Sequence, residues 1–314
     1  MVWTIFIIFI LLLLFVDLYV LNKSGEVIDN KKAAKQTAFW VALAMGFSVA
    51  VYYLYQNGLV NNPNNLKPAN AMAKYITGYL IELSLSVDNL FVIAMIFKAY
   101  KIPPQNQHRA LFWGIIGAIL FRGIVIYLGV FLIQKISWMT YIFGAFLIFT
   151  AFKMIMTDPD DEEAAEEKSK KTLSRFLPIS ANLDGEKFWT IENGKRIATP
   201  LFGALLLIEF SDIVFALDSI PAIIAITTDT FLVFSSNIFA ILGLRSMYFF
   251  LANMLKKFEY LEYSVAAILV FVGLKLMAAH HVVIPEWFSL AFIFLSLMVG
   301  VVVSIRKMRK EEAK

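Results

Sequence analysis

Residues 82–90 read Glu-Leu-Ser-Leu-Ser-Val-Asp-Asn-Leu, and residues 212–220 read Asp-Ile-Val-Phe-Ala-Leu-Asp-Ser-Ile. Each run is an acid, five residues, then Asp and a small polar residue, set within a long apolar stretch. The likeness extends along the chain: Gly-Ala-Ile-Leu-Phe-Arg122 parallels Phe-Ala-Ile-Leu-Gly-Leu-Arg245, and Tyr141 to Lys153 parallels Tyr263 to Lys275 at constant spacing. The repeated unit is three helices long. An odd number of helices makes the second copy enter a membrane from the opposite side, so the repeats, residues 72–156 and 199–280, are read as inverted. Such repeats place a binding site near the membrane midplane, with helices three and six face to face.

Composition agrees with a membrane chain. Hydrophobic residues make up 60% and charged residues 17% of 314, where a soluble chain has roughly half and a quarter. A membrane-spanning helix needs about 20 predominantly apolar residues. Nine stretches qualify: about 2–21, 38–55, 75–97, 110–133, 138–156, 200–227, 231–253, 262–280 and 285–305. The expected fold is an all-α polytopic membrane protein of nine transmembrane helices. Helices one and two fall within residues 1–60, helix nine within 281–305, and a basic tail spans 306–314. The first stretch lacks a basic start, exceeds the length of a signal-peptide core and is followed by Lys23, so it is expected to stay in the mature protein.

Lys and Arg are retained on the cytoplasmic side. They gather in the odd-numbered loops, at Lys23, Lys31, Lys32 and Lys35, at Lys98, Lys101 and Arg109, at Lys256 and Lys257, and at Arg306, Lys307, Arg309, Lys310 and Lys314. Even-numbered loops hold Lys67, Lys74 and Lys135. The N-terminus is expected outside and the C-terminus inside. The net charge of +4 is thus explained by topology, without a patch for nucleic acid. Residues 157–198 form a cytoplasmic insert, flexible or partly folded, with a small hairpin around Phe188-Trp189 and Gly194.

Inside the apolar stretches lie the acids Glu82, Asp88, Glu209, Asp212 and Asp218 and the bases Arg122, Arg245 and Lys275. Each costs about 2.5–3.5 kcal/mol near a helix centre on insertion scales, so such a set implies a function. Arg122, Arg245 and Lys275 are read as supporting ion pairs, which leaves a surplus of carboxylates for a cation or protons. Residues seven apart stack on a helix, which joins Glu82 to Asn89, Asp212 to Ser219 and Ser211 to Asp218. Glu82 and Asp88 lie about 120° apart around the helix, so they serve one ion only where the helix unwinds. Pro221 frees the Leu217 carbonyl, which adds a ligand or merely kinks the helix. Glu209 aligns with Tyr79 and has no acidic counterpart, so the site is expected to lean towards helix six.

The chain has no cysteine, which leaves oxygen and imidazole ligands. Glu82, Asp88, Asn89, Glu209, Ser211, Asp212 and Asp218 form an oxygen set suited to Mg²⁺, Ca²⁺ or Mn²⁺. His280 and His281 are placed at the external end of helix eight, His108 in a cytoplasmic loop and Asp17 in the solvated interface. No nucleotide loop or nucleophile–base grouping is evident, so the chain is not expected to be an enzyme, and no organic cofactor is expected.

The runs Glu-Leu-Ser-Leu-Ser-Val-Asp88-Asn89-Leu-Phe and Glu209-Phe-Ser-Asp212-Ile-Val-Phe-Ala-Leu-Asp218-Ser-Ile-Pro221-Ala, with Gly-Leu-Arg245-Ser-Met-Tyr, resemble the signatures of the TerC family of integral membrane proteins, in its Alx-type branch. The resemblance spans nearly all of the chain outside residues 157–198. It implies manganese export across the bacterial cytoplasmic (inner) membrane, with Mn²⁺ as transported substrate and the acids above as the site. Carboxylate protonation offers a route for proton exchange. The alternatives are a tellurium oxyanion as substrate, a metal-loading or assembly partner without transport, and export of Ca²⁺ or amino acids. The expected partners are the lipid bilayer and the divalent ion; oligomeric state is not read from the sequence.

Overall fold

Proline opens three of the long helices, at Pro68, Pro104 and Pro200, where its fixed φ and missing N–H suit the first turn. Thr199 caps the third, its Oγ1 accepting from the Phe202 N–H. The computed structural model describes residues 2–17, 30–62, 64–136, 138–156, 168, 170–173, 177–192, 194–251, 261–278, 282 and 284–312. In chain order these form α1 (Val2–Val16), α2 (Asn30–Gln56), α3 (Pro68–Ala99), α4 (Pro104–Lys135), α5 (Met139–Met156), β1 (Trp189–Glu192), β2 (Lys195–Ala198), α6 (Pro200–Ile224), α7 (Thr230–Leu251), α8 (Leu261–Ala278) and α9 (Glu286–Glu312).

Five helices are long and apolar enough to cross a bilayer, over residues 31–56, 104–132, 200–224, 230–250 and 287–307. Val2–Val16, Thr140–Lys153 and Tyr263–Ala278 are shorter apolar helices. The chain is a mainly helical, polytopic membrane protein. Outward-facing Phe, Leu and Ile on α1, α4, α5 and α9 supply the apolar exterior that lipid requires. The innermost helix is α7, with 83% of its apolar window buried. Of expected helix one, which runs to residue 21, α1 covers Val2–Val16, and residues 18–29 lie outside the described residues.

Packing exchanges partners in a regular way. α3 packs on α7 and α4 on α6, while α3 meets α6 and α5 meets α8. Small residues let backbones approach at these crossings. A Cβ on Gly144 of α5 would come 2.7 Å from the Gly273 carbonyl oxygen, and one on Gly273 of α8 would come 2.8 Å from that of Gly144. A Cβ on Gly114 of α4 would meet Ile208 of α6 at 3.3 Å, and one on Gly78 of α3 would meet Ser236 of α7 at 2.9 Å.

The described part of the insert contains a two-stranded hairpin. β1 and β2 pair antiparallel from Trp189↔Ala198 to Glu192↔Lys195, turning at Gly194 with φ +73°, a conformation glycine adopts without strain. Arg109 lies over the Phe188 ring at 4.9 Å, Asn106 donates to the Gly185 carbonyl at 2.6 Å, and Lys170 donates to the Ala99 carbonyl. Residues 177–198 thus cover one end of the bundle, where α3 ends and α4 and α6 begin; residues 157–167 lie outside the described residues. We term this the hairpin end and the opposite one the far end. At the far end the Lys74 ammonium donates to the Ile226 carbonyl at 2.7 Å.

Candidate functional site

The middle of the bundle is held by a buried polar network. Arg122 of α4 donates to Asp212 of α6 through two parallel hydrogen bonds, Nε to Oδ2 at 3.1 Å and Nη2 to Oδ1 at 2.6 Å. Its Nη1 pairs with the Glu82 carboxylate of α3 and donates to Asn237 Oδ1 of α7 at 3.3 Å. Asn237 in turn donates to Glu82 Oε2 at 3.0 Å. Four helices are joined by four side chains, all buried. Guanidinium geometry permits this, since its planar fork can serve two carboxylates at once. Two carboxylates against one guanidinium leave an uncompensated negative charge when all are ionised.

Next to this network, towards the hairpin end, lies a narrow cavity lined by Asn89 of α3, Gly114 and Ala118 of α4, Ser211 and Asp212 of α6 and Leu244 of α7. It offers a carboxylate, an amide and a hydroxyl within apolar walls. Glycine and alanine on α4 create the space. Such a set favours a small hard cation over an organic ligand.

Glu209 lies on α6 three residues before Asp212, hence on a neighbouring face. Its carboxylate fills the space that a Cβ on Gly117 of α4 would need, and its buried Oε2 has no hydrogen-bond partner among the described residues. The aligned Tyr79 is a fully buried aromatic.

The expected ligands therefore divide. Asn89, Ser211 and Asp212 share the cavity. Glu82 is engaged by Arg122 and Asn237 instead. Asp88 and Asp218 stand in α3 and α6, but their side chains lie outside the described residues. Among the described residues no group of three or more His, Asp or Glu side chains is gathered for a metal. The local unwinding that would aim Glu82 and Asp88 at one ion is absent, since α3 runs unbroken from Pro68 to Ala99. α6 likewise continues past Pro221 to Ile224, so the proline removes its own N–H as a donor to the Leu217 carbonyl within a helix rather than ending it.

The two other bases meet these partners among the described residues. Arg245 Nη2 pairs with Asp17 at the end of α1, 2.6 Å from Oδ2 and 2.7 Å from the backbone oxygen. The cause is register: four residues separate Ala118 from Arg122, but five separate Ala240 from Arg245. The extra residue turns Arg245 by about 100°, and Leu244 takes the place at the cavity wall. Asp17, expected in solvated interface, is 2% exposed. Lys275 donates to Ser289 Oγ at 2.9 Å across the α8–α9 contact. His108, expected in a loop, is buried in the first turns of α4 with its ring 4.3 Å from that of Phe249. His280 and His281 lie outside the described residues.

Asn237 and Gly117 were not singled out by sequence reasoning. An amide within the apolar run of α7 was the available signal for the first, because a membrane interior demands a partner for it. Gly117 offered only its small size.

Comparison with known proteins adds family-level information. The model for the "Integral membrane protein TerC family" matches residues 67–312. A membrane protein of Myxococcus xanthus is 45% identical over 98% of this chain and 92% of its own length. One of Rickettsia bellii is 41% identical over 97% of each chain. The Escherichia coli (strain K12) protein named "Putative membrane-bound redox modulator Alx" is 40% identical over 94% of this chain and 91% of its own. No solved structure matches.

Proposed function

The chain belongs to the TerC family of integral membrane proteins, and on that premise we propose that it is a secondary transporter that exports a divalent cation, Mn²⁺, from the cytoplasm. The observation that carries this reading is the meeting of Asp212, Ser211 and Asn89 at one cavity beside a network with surplus negative charge. Mn²⁺ accepts exactly this kind of oxygen donor. The choice of manganese within the hard cations follows the family resemblance. With Lys and Arg retained inside, the hairpin end is cytoplasmic, so the cavity is the entry side and Asp212 marks its floor.

Three steps follow from this chain's own residues. The cavity strips part of the ion's hydration and replaces it with carboxylate, amide and hydroxyl oxygens. The Arg122 fork fixes Asp212 so that one carboxylate face is turned to the ion. Rocking of α3–α5 against α6–α8 then exposes the ion to the other side, with protons returning on the vacated carboxylates. An oxyanion substrate is disfavoured, because the cavity lining holds an acid and no base.

The relatives' name suggests redox modulation. This chain has no cysteine, so it performs no thiol–disulfide exchange itself. A redox effect would reach the cell through the metal that is moved. The reading is tested in cells deprived of the protein and challenged with manganese. Complementation by the unaltered chain lowers cytosolic Mn²⁺, and Asp212→Asn does not; equal Mn²⁺ with both, at matched membrane levels, contradicts it.

A further inference from the structure

We propose that the far end of the bundle contains a second polar chamber, closed in this structure, which is the two-fold image of the open cavity and is the exit for the cation. The proposal rests on the transport reading and extends it to residues that reading does not use. The repeat sets Glu82 against Asp212, Asn89 against Ser219, and Ala118-Ile119-Leu120 against Ala240-Ile241-Leu242. Carried through that register, the cavity lining of Asn89, Gly114, Ile115, Ile208 and Asp212 becomes Ser219, Ser236, Asn237, Gly78 and Glu82.

The structure brings those image residues together. Gly114 faces Ile208 across α4 and α6, and their images Ser236 and Gly78 face each other across α7 and α3. Asp212 lies on the cavity, and its image Glu82 is bonded to Asn237, the image of a cavity-lining residue. The two halves differ in that one holds a cavity and the other is packed shut. In the far half the Ser236 hydroxyl sits 2.9 Å from where a Cβ on Gly78 would stand, and Ile223 is 3.4 Å from the same point. Arg122 fills the place whose counterpart in the open half is Leu244.

The lining is also wrong for a permanent apolar seal. Ser219 is 99% shielded and its Oγ has no hydrogen-bond partner among the described residues, Ser236 returns its hydroxyl to its own helix at Val233, and Asn237 and Glu82 are buried. A buried hydroxyl without a partner costs about 1–3 kcal/mol relative to water. That cost is relieved when the chamber opens and is wetted. A wall of hydroxyl, amide and carboxylate oxygens is also the chemistry that a departing hard cation needs while it regains water.

Because the natural chain has no cysteine, single thiols report access cleanly. Ser219→Cys and Ser236→Cys, each nearly isosteric, are placed in the full chain in right-side-out membrane vesicles loaded with manganese chloride. A membrane-impermeant maleimide is added outside while Mn²⁺ release is followed. Tyr127→Cys, on the lipid-facing side of α4, is the control. Both serine variants are expected to label, faster by roughly tenfold with Mn²⁺ inside than without, as a minor state of a few per cent becomes a major one; the control stays unlabelled. Release of Mn²⁺ with neither thiol labelled overturns the chamber and leaves the transport reading intact. Labelling without Mn²⁺ release overturns the exit role together with transport, and equal labelling of the control overturns the chamber as well.

Discussion

Arg122 and Asp212 are joined by two parallel hydrogen bonds, of 3.1 and 2.6 Å, between α4 and α6, and the same guanidinium reaches Glu82 on α3. Removing the guanidinium leaves two carboxylates buried without a counter-charge. Arg122→Ala is therefore expected to cost about 3–5 kcal/mol, the scale of breaking a buried pair by deleting one partner. Arg122→Lys keeps the charge but loses the fork, and restores only part of the stability. Thermal unfolding of the purified chain in detergent checks both; an Arg122→Ala chain as stable as the natural one contradicts the network.

Arg245 is the contrasting case. It pairs with Asp17, and the pair fastens α1 to the bundle. Asp17→Ala is expected to lower stability while leaving Mn²⁺ affinity unchanged in the folded fraction. Asp212→Asn is expected to do the reverse, weakening Mn²⁺ binding by tenfold or more, which is about 1.4 kcal/mol. Binding titrations and melting curves on both variants separate the two roles.

Glu209 depends on a single glycine. Any Cβ at residue 117 enters the space of its carboxylate. Gly117→Ala should displace Glu209 at an overpacking cost of about 1–3 kcal/mol and lower Mn²⁺ flux, whereas Gly46→Ala, where a Cβ meets nothing within 4 Å, should leave flux unchanged. Flux at matched protein levels decides it.

The hairpin carries its own pH dependence. Hydrogen bonds from Lys187 and then Thr190 hold the exposed Asp184 carboxyl below the usual carboxylate range. A depressed folded value means that its stabilising contribution is present above the unfolded value and is lost as pH falls through the folded one. The protection of amides 184–198, taken relative to their intrinsic exchange rates at each pH, should thus fall in acid, and Asp184→Asn should remove that acid-sensitive part. Hydrogen exchange against pH measures it; an unchanged profile in the variant contradicts the assignment.

Much of this was legible in the residues. Apolar runs marked the helices because a membrane leaves no other solution for the backbone, and Phe188-Trp189 with Gly194 marked the hairpin. The acids of 82–90 and 209–218 were legible as a group through their cost in lipid. Their partners were not. Glu82 and Asp212 are alike in sequence, yet Arg122 serves both while Arg245 turns away to Asp17, because one inserted residue rotates a helix face by about 100°. Burial of Asp17 and His108 depends on which helix covers them, a tertiary fact with no local signature. Asn237 acquires its role only when α3 and α7 are brought together, and Gly117 only when α6 lies against α4.

The central claim, movement of Mn²⁺ through the Asp212 cavity, is tested most directly by flux in proteoliposomes. The purified chain is reconstituted with a manganese-sensitive dye on the far side of an Mn²⁺ gradient, beside Asp212→Asn and Asp88→Asn at equal protein density. The account predicts dye response with the natural chain, saturating with Mn²⁺ concentration, and its loss in both variants while each keeps its helical content. Protein-independent leak for the natural chain, or undiminished flux in Asp212→Asn, contradicts it.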